Sequence, residues 1–204
     1  MPLLTLHLLC LTPTKTVAAF LQDLHSNPTI TLILASEPRH LVIKPNHLDL
    51  SPLTTPKWDL LVLLHSPSSA LPRALQSSVT SEYKLTVGVP SKLVSRYPDH
   101  NAKLIADAPN VKLTGALAKA QEMVKDDGQN LELSPELLAF MEELTETYGD
   151  KPVTMLNLLQ FNDGGKQDYY KYGQVCTGTS MVMIRHAGPR VHAGVKAKGI
   201  GRHS

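Results

Sequence analysis

KPVTMLNLLQFNDGGKQDYYKY, residues 151–172, is the stretch whose reading decides the fold. Val153, Thr154, Met155, Leu156, Leu158, Leu159 and Phe161 make residues 153–161 a buried strand, too short and too rich in strand formers for a helix. Asn162-Asp163-Gly164-Gly165 supplies a turn, because Asn, Asp and Gly tolerate the backbone angles a reversal needs. Tyr169, Tyr170 and Tyr172 then sit at the start of a helix. A strand, a turn and a helix at this point open a second structural unit, which requires that a first be complete upstream.

Upstream, residues 3–11 form a Leu-rich strand. Thr12-Pro13-Thr14 provides a cap and a helix-compatible Pro. Val17, Phe20, Leu21 and Leu24 recur at three- and four-residue spacing and give one apolar helix face. Ser26-Asn27-Pro28 stops that helix. Residues 30–35 are a second strand, Leu41-Val42-Ile43 a short strand, and 45–56 a Pro-rich loop. WDLLVLL, residues 58–64, is a buried strand. Residues 71–79 form a short helix, and YKLTVGV, residues 83–89, alternates as a half-buried strand. Pro90-Ser91 opens a helical segment carrying Leu93, Val94 and Tyr97. The order is β-α-β-β-α-β, the split βαβ pattern of a ferredoxin-like unit. The fold class is therefore α+β: one such unit, a linker, and an incomplete second ferredoxin-like repeat.

The expected divisions are residues 1–100 for the first half, 101–150 for the linker, 151–176 for the start of the second half, and 177–204 for a basic Gly-rich tail. Residues 101–130 read as partly extended, with a helical turn near 116–124. Ser134-Pro135-Glu136 starts a helix with an N-cap Ser, a Pro at the first position and an acid in the first turn. Leu137, Leu138, Met141, Leu144 and Tyr148 line its face up to Gly149.

The chain has 204 residues, 42% hydrophobic and 19% charged, which argues for a packed core rather than wholesale disorder. Three Phe and one Trp leave aliphatic residues to fill that core. Arg185, Arg190, Lys196, Lys198 and Arg202 lie beyond Thr177 with no acid among them. The rest of the chain then holds 15 basic against 18 acidic residues, a net −3, which weighs against a nucleic-acid surface on the folded body. Cys10 and Cys176 are far apart, make no metal-binding spacing, and fit a reducing, cytoplasmic setting. The first 13 residues lack a basic start and a cleavage site, so they read as a strand and not a signal peptide. No apolar run approaches the about 18 residues of a membrane span.

Met155-Leu156-Asn157-Leu158-Leu159-Gln160-Phe161, then Gly164-Gly165 and Tyr169 to Tyr172-Gly173, resembles a group of proteins of unassigned function in the dimeric α/β-barrel superfamily. Their strand has the form M-L-N-L-x-x-F, followed by a Gly-rich turn and a helix bearing Y-x-x-Y-G. The longer fungal members are similar over residues 1–176, including NLELSPELLAFMEEL before the strand. The resemblance implies two ferredoxin-like halves in one chain, imitating the superfamily's dimer, or a homodimer. Against that pattern, the chain beyond Gly173 looks truncated or replaced.

Four residues are candidate catalytic groups. Asn157 is an amide within an apolar strand, where burial costs roughly 1–3 kcal/mol unless it is hydrogen-bonded. In a barrel it would orient a substrate carbonyl; the plain alternative is an amide satisfied by neighbouring backbone. Tyr169 and Tyr172 are three apart on one helix face and offer hydroxyl donors, or else pack at a helix–sheet boundary. His65, like His7, stands in or at the end of a strand, where the superfamily often places a histidine as proton acceptor; a structural His is the plain reading. His186, His192 and His203 have no carboxylate partner, and no metal or cofactor is expected. No G-x-S-x-G, P-loop, dinucleotide fingerprint or H-E-x-x-H is present. The expected function is the binding of a small apolar organic molecule, its enzymatic form being cofactor-independent proton transfer, isomerisation or oxygenation. The alternative is a non-catalytic ligand-binding or oligomerising protein, or an inactive truncated family member.

Overall fold

The computed structural model describes residues 3–42, 48–110, 135–148, 151–159, 161–163, 165, 167–169, 171, 181–185 and 192–198, the last two segments by their backbone. The chain divides into two compact units. The first comprises residues 1–38, 49–97 and 154–197, and the second residues 39–48, 98–153 and 198–204. No helix among the described residues is long and apolar enough to cross a membrane.

The first unit is an α+β body around an antiparallel sheet. Strand β1 (Leu3–Leu11) lies between β3 (Leu60–His65) and β4 (Val79–Gly88), antiparallel to both. Strand β2 (Thr31–Ser36) adds antiparallel to the outer side of β3. Helix α1 (Val17–His25) connects β1 to β2. The single turn α2 (Ser51–Thr54) precedes β3, and the single turn α3 (Arg73–Gln76) joins β3 to β4. Beyond β4 the order continues through β6 (Met181–Arg185) and β7 (His192–Lys198) to β5 (Val153–Leu159).

Strand alternation sorts this sheet into two faces. On one, Leu4 and Leu6 of β1, Leu63 of β3, and Leu85 and Val87 of β4 form a cluster no more than 5% exposed. Leu156 and Leu158 of β5 and Val94 pack against it, so β5 helps cover this apolar face. On the other face, Leu9, Leu60, Val62 and Leu64 meet Phe20 and Leu24 of α1 together with Leu71 and Leu75. A register shift between Leu32 and Leu34 in β2 sends Leu32 to the second cluster, and Ile33 and Leu34 to the first.

Several local expectations are corrected. Thr16, not the Thr12–Thr14 segment, caps α1: its hydroxyl accepts from the Ala19 amide at 3.2 Å. Leu41 and Val42 are not in a strand and stand 37% and 42% exposed. β3 begins at Leu60 and leaves Trp58 and Asp59 outside it. The Trp58 indole donates to the Leu53 carbonyl at 2.8 Å, and the Asp59 carboxylate accepts from the Leu11 amide at 2.8 Å. The helix expected over 71–79 shrinks to α3, while the one opening at Ser91 runs far longer, as α4 (Ser91–Asp107) with Pro98 inside it. Within the span expected to be a Gly-rich tail, β6 and β7 pair antiparallel, with Val182 opposite Val195. The helical turn expected near 116–124 lies outside the described residues.

In the second unit, α5 (Pro135–Tyr148) matches the expected helix, with Leu137 its buried residue. His40 stacks on Phe140 with ring centroids 4.5 Å apart. The Arg39 guanidinium sits 3.6 Å over the Tyr148 ring and also donates to its hydroxyl.

Candidate functional site

The helix-side face of the sheet has an apolar end and a polar end. α1 and the Leu71–Leu75 segment cover the end that holds Leu9 and Leu60. Toward the start of β1, the positions on the same face are Thr5 and His7, with Thr86, Lys84 and Glu82 of β4 across from them. The register pairs Thr5 with Thr86 and His7 with Lys84. Glu82 and Lys84 are exposed and Thr86 is half-buried, whereas Thr5 is 4% and His7 1% exposed. The stripe therefore runs from exposed positions on β4 to buried ones on β1.

His7 Nδ1 lies 2.6 Å from Glu82 Oε1. An ionised carboxylate only accepts, so the imidazole places its proton on Nδ1 and leaves the Nε2 lone pair as acceptor. Among the described residues Nε2 has no hydrogen-bond partner. Burial pulls the His7 pKa below its ordinary value of 6.5; the hydrogen bond and charge of Glu82 oppose this, and the charge of Lys84 adds to it. The result is a neutral, desolvated base backed by a carboxylate.

At the polar end a pocket of about 200 Å³ opens between the start of β1 and the loop after β3. Its walls include Leu3, Thr5, Thr86, His65 and Ser69. Two further hydroxyls in its wall are engaged locally: Ser66 donates to the Ser68 carbonyl, and Ser68 accepts from the Ala70 amide. The Thr5 hydroxyl has no partner among the described residues, although its side chain is nearly fully buried. Thr5 and His7 are two positions apart on one face, about 7 Å along the strand.

Of the residues singled out from sequence, His65 is exposed at the end of β3 and lines this pocket. Asn157 lies in β5, half-buried between Leu156 and Leu158; because those two pack on the apolar face, alternation turns Asn157 away from it. Tyr169 is half-buried on helical backbone, its ring 5.2 Å from that of Phe161, and burial raises its pKa. Neither Asn157 nor Tyr169 lines this pocket. Tyr172 lies outside the described residues. No group of three His, Cys, Asp or Glu able to hold a metal ion occurs among the described residues.

Thr5, Thr86 and Glu82 were not singled out, yet the signal for them exists. In LLTLHLLCL, Thr5 and His7 sit two apart in a strand that is otherwise almost all Leu, so alternation must put them on one face. SEYKLT carries Glu82, Lys84 and Thr86 with the same period. The pairing of the two strands, which sequence periodicity does not supply, joins the sets.

Comparison with known proteins finds no matching family model, curated protein or solved structure.

Proposed function

We propose that the chain is a ferredoxin-like protein of the dimeric α/β-barrel type that binds a small organic molecule on the helix-side face of its first sheet and moves a proton on it without a cofactor. The strand order β2-β3-β1-β4, all antiparallel and joined by two crossovers, supports a split βαβ first half. The packing of Leu156 and Leu158 on its apolar face supports a second half that begins at β5 and takes the place of a dimer partner.

One observation carries the chemical reading: His7, 1% exposed, is held at 2.6 Å by Glu82 with its Nε2 unpaired. In the proposed step, Nε2 takes a proton from a carbon next to a carbonyl group. The C–H electron pair moves into a C=C bond, and the carbonyl π pair moves onto oxygen. The imidazolium that forms is stabilised by Glu82 and returns the proton at the same or a neighbouring carbon. A base kept neutral by burial is in its reactive form at neutral pH.

A second reading has its own observation. Complete burial of His7 also suits a core strut, with the pocket a binding site and nothing more. Proton exchange separates the two. Incubated in D₂O with 1,3-cyclohexanedione, acetone and pyruvate, the wild-type chain is expected to speed deuterium incorporation at the carbon beside the carbonyl in at least one of them. A gain of about 10²–10⁴ is what a positioned base supplies. His7→Gln is expected to fall to the buffer rate while keeping its circular dichroism spectrum. Exchange by folded His7→Gln equal to wild type removes His7 as the base, and absence of exchange by the wild type leaves the binding reading.

A further inference from the structure

We infer that the pocket at the start of β1 is a subsite for a small neutral molecule bearing a carbonyl or hydroxyl group, and that the paired hydroxyls of Thr5 and Thr86 hold that oxygen. This rests on the small-molecule reading above and names the class of molecule the face takes.

The argument starts from Thr5. Its side chain is 4% exposed, lines the pocket, and has no hydrogen-bond partner among the described residues. A buried hydroxyl without a partner is unfavourable, and a guest oxygen at this position removes the penalty. Thr86 faces Thr5 directly in the β1–β4 register and lines the same pocket, so two hydroxyls converge from neighbouring strands. A hydroxyl both donates and accepts, which matches an alcohol as well as a ketone.

The rest of the wall sets the class. Among the described residues it contains Leu3, Leu4 and Pro67 as apolar surface and no Lys, Arg, Asp or Glu. A carboxylate or ammonium group would lose water without finding an opposite charge, since His65 is the only titratable group among the described residues of the wall. A neutral oxygen group loses far less. The volume, about 200 Å³, equals roughly seven waters of liquid and limits the guest to a single small ring or short chain. His7 stands two positions from Thr5 on the same face but is not among the residues lining the pocket, so the oxygen subsite rests on the threonines alone.

The test uses the full ¹⁵N-labelled chain titrated with cyclohexanone, cyclohexanol, cyclohexanecarboxylate and cyclohexylammonium, reading amide shifts at Thr5, Thr86 and Ser69. The ketone and the alcohol are expected to shift these amides, and the two charged rings are not. Thr5→Val, which keeps the shape and removes the oxygen, is expected to weaken the ketone five- to tenfold, roughly the worth of one hydrogen bond in a dry site. Thr86→Val gives an independent reading should Thr5→Val fold poorly. Equal or tighter binding of a charged ring overturns the assigned class, as does unchanged ketone affinity in both valine variants. If no probe shifts these amides, the pocket is not a subsite. The deuterium exchange assay reads His7 separately, so either idea can fail while the other stands.

Discussion

The His7–Glu82 pair invites a double-mutant cycle, because its two members differ sharply in access to water. Glu82 keeps 34% of its side chain exposed, while His7 keeps 1%. Glu82→Leu removes the acceptor and leaves an imidazole N–H unpaired in a dry site, at a cost of about 1–3 kcal/mol. Glu82→Gln leaves an amide oxygen within reach and is expected to cost less than about 1 kcal/mol, the difference between a charge-assisted and a neutral hydrogen bond. In His7→Leu the orphaned carboxylate can turn to water, so the double variant should be less damaged than the sum of the two singles, by about 1–2 kcal/mol.

The pH dependence of this pair has a fixed sign. The folded pKa of His7 lies below 6.5, chiefly through burial, with Glu82 opposing. Above 6.5 both the folded and unfolded chains hold a neutral imidazole, and its contribution is fully present. As pH falls through 6.5, the unfolded chain takes up a proton that the folded chain refuses, and stability is lost until the folded pKa is reached. One such group contributes a slope of at most about 1.4 kcal/mol per pH unit. Urea unfolding of wild type, His7→Leu, Glu82→Leu and the double variant between pH 8 and 5 measures both quantities. Wild type is expected to lose stability on acidification faster than His7→Leu. Parallel curves, together with a coupling energy indistinguishable from zero, would refute the reasoning that the pair is a charge-assisted bond to a desolvated base.

Other outcomes follow from the same geometry. Phe20→Ala, at a fully buried position where α1 meets the sheet, is expected to cost about 3–5 kcal/mol in urea unfolding. Leu158→Asp places a charge against the apolar face and should expose β5 to hydrogen exchange while amides of β1 and β3 stay protected; unchanged protection of β5 would mean that it does not depend on this contact. Burial raises the pKa of Tyr83, Tyr97 and Tyr169 above the ordinary 10.0. Unfolded tyrosines then ionise first, so stability is expected to fall as pH rises past 10, with phenolate absorbance lagging behind that of a denatured sample.

The elements that sequence periodicity revealed are those whose pattern is local. β1 spans the residues its Leu run marks, and α5 carries the spacing that follows a Ser-Pro-Glu start. From sequence, the segment opening at Ser91 extends only as far as Tyr97, yet α4 runs to Asp107 through Pro98, and the apolar set Leu93, Val94, Tyr97, Leu104 and Ile105 keeps helical spacing across it. The register shift beside Ile33 had no signal in TLILAS, since any alignment of so uniform a strand buries something apolar. The candidate site was half legible for the same reason. His7 and His65 could be placed on strands, but the union of Thr5, His7, Thr86 and Glu82 depends on β1 lying beside β4, a contact between residues some 75 positions apart.

Weight within the candidate set shifts once burial is known. Asn157 drew attention as an amide in an apolar strand, but it is half-buried and turned away from the apolar cluster, so it does not carry the full cost of a buried amide. Thr5 and His7 have no such relief. They lie on β1, flanked by β3 and β4, at 4% and 1% exposure, and each keeps a polar atom unpaired among the described residues. Val at position 5 and Leu at position 7 would fill the same space, suit the strand better, and avoid a penalty of roughly 1–3 kcal/mol at each position. Neither polar group is explained by the stability of the sheet. The cost of Thr5 falls where helix cover gives way to a pocket, and His7 lies two positions further along the same strand, outside the residues that line it. That coincidence of unfavourable polarity with open space is the physical ground for looking for the activity there and not along β5.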